Sequence, residues 1–539
     1  MATIEIVLAL LLALAVVAAA ARFVPVPLPL LLIGSGVALS FVPGLGGVRI
    51  DPDVFFLLFI PPLLFADGWQ MPLRDFKTVL RPVLLLAFGL VLATVVVVGY
   101  LMHLLVPSLP LAAAFALGAI VSPTDAVATA AMTQKLPLPA RITLILNGES
   151  LINDASGLVA FKFAVAAIAT GVFSLSAATG QLALVACGGF AAGLVVAWAV
   201  GAIRVGLKRV CVDDPTIQTI LSVLTPFAAY LAAESVHVSG ILAVVGAGLY
   251  AGWHDGRNLS VTTRQHAWEV WDMLLFVFNG LVFLLLGLSL RPALGTLTAT
   301  EPWPTLAGYA LALWGVVTLI RIAWVYPGTY LPRLLFRTIR DGEPRPPARN
   351  VFIVGWAGLR GSVTMAAALS IPAATATGAS FPARDLIIFL SATTIALTLL
   401  INGLTLPPLI RALGIRGDGH AEREQRAAEI AMAQAAAAAL AREVPRLSRP
   451  DEQSFARRLV AEYEARVARH TANAERRRDL DAHAATQRRL QMVGIQAERD
   501  ELAALRDSGE INDETVRALE ARIDHAELTA VDRPPAAHG

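Results

Sequence analysis

The stretch Leu146-Asn-Gly-Glu-Ser-Leu-Ile-Asn-Asp-Ala-Ser-Gly157 places two carboxylates inside an otherwise apolar segment. A helix that spans a membrane needs about 20 predominantly apolar residues, and an Asp at its centre costs about 2.5–3.5 kcal/mol on insertion scales. On a helix, Glu149 lies one turn before Asn153. Ser150 lies one turn before Asp154 in the adjacent row, so the four side chains share one face. Because two neighbouring carboxylates resist being ionised together, one of them is suited to exchanging protons.

The apolar segment before this one is interrupted by Pro123-Thr-Asp125. Proline lacks an N–H and tends to break a helix, which leaves nearby carbonyl oxygens without partners. Freed carbonyls, a carboxylate and hydroxyls are hard oxygen ligands, suited to a small alkali cation. We therefore expect a cation- and proton-binding site made of Asp154, Asn153, Ser150, Asp125 and Thr124. Two structural alternatives stay open, namely hydrogen bonding between helices by the polar set and a simple kink at the proline.

Two arginines also interrupt apolar sequence. Arg321 has apolar neighbours on both sides, and a buried arginine favours a carboxylate partner. We predict an ion pair between Arg321 and Glu149, which keeps Glu149 ionised and leaves Asp154 to titrate. Arg360 lies in Gly358-Leu-Arg-Gly361, where it is expected to offset the negative C-terminal end of a half-helix. For both arginines the alternative is a side chain that extends to the membrane interface.

Composition separates the chain into two parts. It is 56% hydrophobic and 16% charged, whereas soluble chains are about 45–50% apolar and about 25% charged. The segment from Arg416 onward holds 43 of the 84 charged residues, so the part before it is far more apolar than the average. This excludes a soluble enzyme or a disordered chain, and the net charge of +2 gives no case for nucleic acid. We predict a transmembrane domain over 1–414 and a charged helical cytoplasmic tail over 415–539.

Apolar segments predict an all-α polytopic membrane protein with about thirteen transmembrane helices. The first apolar segment is interpreted as a spanning helix. A secretory leader has a basic residue before its apolar stretch, and no basic residue precedes this segment. The candidates begin near Ile4, Pro27, Val54, Pro82, Leu111, Ile142, Gln181, Thr216, Val238, Trp268, Pro304, Asn350 and Asp385.

The odd number of spans suggests two inverted six-helix repeats joined by the seventh. The fifth span of each half is then interrupted at a corresponding place, at Gly118-Ala-Ile-Val-Ser-Pro-Thr-Asp125 and at Gly355-Trp-Ala-Gly-Leu-Arg-Gly361. We expect these two broken helices to cross near the middle of the membrane.

Positive charge in the loops predicts the orientation. With the N-terminus outside, the cytoplasmic loops are basic, and the loop after the eleventh span is the richest, with Arg333, Arg337, Arg340, Arg345 and Arg349. The opposite loops carry little positive charge. This asymmetry follows the positive-inside rule and places the C-terminal tail in the cytoplasm.

Four motifs resemble the sodium/hydrogen exchanger family, in particular the bacterial NhaP-type members of the monovalent cation/proton antiporter-1 class. They are Phe59-Ile-Pro-Pro-Leu-Leu-Phe65, Ser122-Pro-Thr-Asp125, Gly148-Glu-Ser-Leu-Ile-Asn-Asp-Ala155 and Gly358-Leu-Arg-Gly361. The resemblance implies a thirteen-helix homodimer in a bacterial inner membrane. It also implies that Asp154 binds cation and proton in turn, with oxygens from Thr124, Asp125 and Ser150. Asn153, where electrogenic relatives carry a second Asp, implies electroneutral exchange of one cation for one proton.

The predicted function is therefore Na⁺/H⁺ antiport, with Li⁺ as a further substrate, and K⁺/H⁺ antiport by the same mechanism is the alternative. The expected partners are monovalent cations, protons, the lipid bilayer and a second copy of the chain, with no cofactor and no nucleic acid. Other classes fit less well. A channel needs a continuous polar pore, and an intramembrane aspartyl hydrolase using Asp125 and Asp154 needs further motifs. A further alternative places the activity in the tail and makes the spans a membrane anchor. Thirteen spans with buried charges are more than an anchor requires.

Overall fold

The computed structural model describes residues 2–24, 26–43, 51–133, 136, 138–170, 175–210, 214–299, 301–342, 345–374, 380–417, 419–471, 474–508 and 510–531. Its named elements in these ranges are all helical, which confirms the all-α prediction. The chain divides into two compact units, Met1–Asp418 and Gly419–Gly539.

The first unit is a bundle of apolar helices. Its elements are α1 (Ala2–Ala20), α2 (Leu28–Leu39), α3 (Pro52–Gln70), α4 (Leu73–Leu84), α5 (Val91–Leu105), α6 (Leu111–Val121), α7 (Ala126–Thr133), α8 (Ala140–Thr170), α9 (Leu175–Arg209), α10 (Pro215–Ser235), α11 (Gly240–Asn258), α12 (Val261–Leu297), α13 (Trp303–Leu335), α14 (Arg337–Gly342), α15 (Ala348–Trp356), α16 (Ser362–Leu369), α17 (Arg384–Leu397) and α18 (Leu404–Ala412). A π-helical turn, Leu85–Leu90, continues α4 into α5, and a second, Thr398–Gly403, continues α17 into α18.

Each predicted apolar segment corresponds to one helix or to a short series of helices. Within the described residues, eight helices are long and apolar enough to cross a membrane, and the bent pair α6–α7 makes a ninth. The shorter apolar helices are Glu5–Ala20 and Leu28–Leu39. The chain is thus a multi-pass membrane protein, whereas the number of thirteen crossings, the inverted repeat and the orientation stay predictions.

Both interruptions predicted from the sequence break a helix. Ser122 to Asp125 separates α6 from α7, with a bend of 41° between them. Ala357 to Gly361 separates α15 from α16 in the same way. Small residues allow close packing elsewhere in the bundle. A Cβ at Gly36 or at Gly287 would collide with the backbone of the facing helix, so α2 and α12 approach closely.

The second unit consists of four charged helices, α19 (His420–Glu443), α20 (Pro450–Thr471), α21 (Ala474–Asp507) and α22 (Asp513–Val531). α19 packs against α20, and α21 packs against α22 around Ile495, Leu502 and Ile523. Arg499 of α21 pairs with Asp524 and Glu527 of α22, each at 2.7 Å. The transmembrane domain over 1–414 and the cytoplasmic tail over 415–539 stay predictions.

Candidate cation-binding site

The two broken helices cross at Asp125. The Asp125 N–H donates to the carbonyl oxygen of Leu359 at 2.8 Å, and its carboxylate accepts from the N–H of Ala128 at 2.9 Å and of Ser362 at 3.3 Å. One side chain therefore satisfies amides at the start of both α7 and α16, which are the positive ends of two half-helices. Asp125 fixes the crossing as well as adding negative charge there.

Glycine at position 361 makes this crossing possible. A Cβ at Gly361 would overlap the carboxylate of Asp125. A second link crosses the same gap, since the Thr129 hydroxyl donates to the carbonyl oxygen of Ala357 at 3.2 Å. The glycine of the second break and the aspartate of the first thus meet in one place.

Helix α8 presents its polar face to this crossing. Glu149, Ser150, Asn153 and Asp154 are all buried. The Asn153 amide donates to the Thr124 hydroxyl at 2.8 Å, and the Ala126 N–H donates to the Ser150 hydroxyl at 3.2 Å. The structure therefore brings all five predicted site residues together around the first break.

One buried oxygen of this cluster is left without a hydrogen bond. The Oδ1 atom of Asn153 has no partner among the residues that the structure describes. The neighbouring residue Asp154 is 3% exposed, and the charges of Asp67, Asp125 and Arg360 act on its carboxylate. Buried polar atoms in proteins are nearly always paired, so an unpaired acceptor beside a buried carboxylate is available to a cation or a proton.

Glu149 is held by Arg321. Both side chains are 1% exposed, and the guanidinium contacts Glu149 through both terminal nitrogens, with the Nη2–Oε2 distance 2.8 Å. Arg321 also donates to the carbonyl oxygen of Val354 at 3.2 and 3.1 Å, near the end of α15. The structure thus contains the ion pair expected from the sequence, and it joins α8 to α13 and α15.

Arg360 lies in the second break and is 1% exposed. Its backbone N–H donates to the Thr398 hydroxyl at 3.2 Å, and its guanidinium donates to the carbonyl oxygen of Gly358 at 3.4 Å, just beyond the end of α15. Both buried arginines thus differ from side chains that extend to a membrane interface.

Asp67 of α3 belongs to the same electrostatic cluster, and the sequence reasoning missed it. Its charge acts on both Asp154 and Asp125. The signal in the sequence is a carboxylate two residues after the Phe59–Phe65 motif. The cluster therefore contains a fourth carboxylate besides Glu149, Asp154 and Asp125, from a helix outside the two breaks.

Lys162 of α8 pairs with Glu234 of α10 at 2.6 Å. Its ammonium group also lies over the rings of Phe56 and Tyr230. It contacts the neighbouring helices rather than the polar cluster on α8.

Most of the chain matches a known protein family. The family model described as sodium/hydrogen exchanger, transmembrane, matches residues 6–412. An uncharacterized Na(+)/H(+) exchanger of Escherichia coli (strain K12), YjcE, is 38% identical over 90% of each chain. The Na(+)/H(+) antiporter NhaP of Pseudomonas aeruginosa is 31% identical over 68% of this chain and 82% of its own.

A sodium, potassium, lithium and rubidium/H(+) antiporter of Bacillus pumilus is 41% identical over 70% of this chain, which spans only 56% of that protein. Among solved structures, the sodium proton antiporter MjNhaP1 of Methanocaldococcus jannaschii has a similar fold, with a TM-score of 0.55 and 19% identity over 77% of this chain and all of its own. The predicted resemblance and the assignment to transporters rather than enzymes are confirmed: the chain belongs to the transmembrane sodium/hydrogen exchanger family.

Proposed function

We propose that this chain exchanges Na⁺ for H⁺ across a membrane, with cation and proton competing for Asp154. The observation that carries the proposal is the buried cluster at two crossed helix breaks, in which the unpaired Asn153 Oδ1 adjoins the buried Asp154. A protonated Asp154 cannot coordinate a cation, and a bound cation disfavours the proton. An empty, ionised site is penalised by desolvation, so the occupied forms are the ones that cross.

The neighbouring residues have separate roles in this proposal. Ser150, Thr124 and Asn153 supply neutral oxygens, while Asp125 holds the crossing and contributes negative charge. Glu149 is neutralised by Arg321, and Arg360 offsets part of the remaining negative charge. Na⁺ is the transported substrate rather than a resident metal, and the proposal includes no cofactor.

Electroneutral exchange follows from Asn153. With Glu149 paired, exchange at Asp154 replaces one positive charge by another, so a cycle carries no net charge. Alternating access would be movement of the helices that carry the breaks relative to the rest of the bundle. The proposal also includes a homodimer in a bacterial inner membrane, with the N-terminus outside and the tail in the cytoplasm.

K⁺ is the second candidate substrate. Oxygen ligands alone do not determine which ion binds, and the Bacillus pumilus relative is named a sodium, potassium, lithium and rubidium/H(+) antiporter. Purified protein in proteoliposomes with an imposed pH gradient tests both ions. Dissipation of the gradient on adding Na⁺ supports the proposal, dissipation by K⁺ alone changes the substrate, and no response to any cation from well-folded protein contradicts it.

A further inference from the structure

A cavity of about 100 Å³ lies between α4, α8, α13 and α15, away from the polar cluster. Three arginines line it, each from a different helix: Arg81 of α4, Arg141 of α8 and Arg333 of α13. The described residues that line it include no acidic side chain. The orientation predicted from loop charge puts all three arginines on the cytoplasmic side.

This lining suits an anion. Guanidinium groups match phosphate oxygens with two parallel hydrogen bonds, and arginine is the side chain favoured wherever a phosphate is bound in this way. The first turn of α8, at Arg141 and Ile142, forms part of the wall and adds the partial positive charge of a helix N-terminus. Arg333 is only 8% exposed, so part of the positive charge lies in a poorly solvated place.

Cavity size and the rest of the lining restrict the ligand. A cavity of about 100 Å³ admits a small anionic group such as one phosphate. The remaining wall is largely apolar and includes Leu85, Ile145, Trp324 and Val325. Such a wall fits the part of a lipid that adjoins its headgroup.

We propose that this cavity binds an anionic phosphate group, supplied by a phospholipid headgroup at the predicted cytoplasmic surface or by a free phosphate ion. The three arginines hold the phosphate, and the apolar wall accommodates what is attached to it. The proposal concerns binding, and it does not depend on which cation the protein transports.

A phosphate bound in this cavity would lie beside residues that hold the Glu149–Arg321 pair in place. Val354 lines the cavity, and its carbonyl oxygen accepts from Arg321, the partner of Glu149. Ile142, also in the wall, precedes Glu149 by seven residues on α8, a rise of about 10 Å. Occupancy therefore stabilises the helix ends that hold the Glu149–Arg321 pair.

Thermal unfolding of the purified full-length protein in a neutral detergent tests the proposal. The probes are short-chain phosphatidylglycerol, phosphatidylcholine of the same chain length, and sodium phosphate against sodium chloride at equal ionic strength. A ligand that binds only the folded state raises the unfolding midpoint by mass action. We expect phosphatidylglycerol or phosphate to raise the midpoint of the wild type relative to its matched control.

The variant Arg81→Gln/Arg141→Gln should lose this increase, with at least a tenfold weaker apparent affinity. The variant Arg337→Gln/Arg340→Gln, which removes two exposed arginines that do not line the cavity, should keep it. The unfolding midpoint of each variant with a probe is compared with its own midpoint in the control additive. A change in basal stability therefore does not affect the measured increase. If the Arg81→Gln/Arg141→Gln variant does not fold, the single variant Arg141→Gln, at an exposed position, replaces it.

The arms separate the sources of phosphate. An increase with phosphatidylglycerol alone identifies a lipid headgroup, and an increase with inorganic phosphate alone identifies the free ion. No increase with either probe, or an equal increase in wild type and the Arg81→Gln/Arg141→Gln variant, would overturn the proposal.

Discussion

Replacing Glu149 by Gln should destabilise the fold more than any other single loss of charge in the polar cluster. The change keeps the size of the side chain and one acceptor oxygen, but it removes the only negative charge paired with Arg321 among the described residues, a guanidinium that is 1% exposed. Breaking a buried ion pair by removing one partner costs about 3–5 kcal/mol, because the remaining charge is left uncompensated. We expect the free energy of unfolding to fall by that amount.

The double variant Glu149→Gln/Arg321→Met provides the test of cause. With both charges removed, no orphaned ion remains, and replacing a buried pair by neutral groups is often close to neutral. We expect the double variant to unfold within about 1–2 kcal/mol of the wild type, so the two substitutions are strongly non-additive.

A matched control exists in the Lys162–Glu234 pair, whose side chains are each 39% exposed. Exposed ion pairs contribute about 0.2–1 kcal/mol, so Glu234→Gln should have a small effect. The assay is denaturation of purified protein in detergent, followed by tryptophan fluorescence. If Glu149→Gln costs no more than Glu234→Gln, the Glu149–Arg321 pair does not support the fold as argued.

Three further predictions concern single residues. Asp67→Asn should weaken the apparent cation affinity severalfold, because it removes a charge that acts on Asp154. The control Asp53→Asn, in the first turn of the same helix, should leave the affinity unchanged. If the cation dependence of transport gives equal affinities for wild type and Asp67→Asn, Asp67 is excluded from the site. Gly361→Ala should abolish transport or folding, because the added methyl group overlaps Asp125. Gly315→Ala should be tolerated, because a Cβ at that position meets no atom within 4 Å. An active Gly361→Ala protein would refute the described crossing. The N–H groups of Ile217 and Thr216 hold the pKa of the Asp214 carboxyl below its ordinary value of 3.8. Because the folded pKa is the lower one, this cap of α10 stabilises fully above the ordinary value and is lost as pH falls through the folded value. Asp214→Asn should therefore reduce the acid sensitivity of the unfolding midpoint, and an unchanged pH profile would contradict this.

Much of the fold follows from the sequence because a bilayer imposes simple rules. Apolar length predicts the helices, and Pro123 with the glycines around Arg360 predicts the two breaks. The pairing of Glu149 with Arg321 could be predicted because a buried arginine has few acceptable partners, although the two residues are 172 positions apart.

What the sequence did not predict depends on tertiary arrangement. Asp67 joins the cluster because α3 packs beside α8 and α16, and no local pattern records that packing. The double use of Asp125 as a cap for α7 and α16 likewise requires the crossing itself. The cavity lined by Arg81, Arg141 and Arg333 combines residues that looked, one at a time, like ordinary basic loop residues.

The most direct test of the central claim is cation-dependent dissipation of a pH gradient in proteoliposomes, comparing wild type with Asp154→Asn. Na⁺, Li⁺ and K⁺ are added in turn, with and without a clamped membrane potential, after both proteins are shown to be folded. The account predicts a wild-type response to Na⁺ that is independent of the potential and absent from Asp154→Asn. Proton-coupled Na⁺ flux retained by Asp154→Asn would contradict the claim that cation and proton compete for this carboxylate.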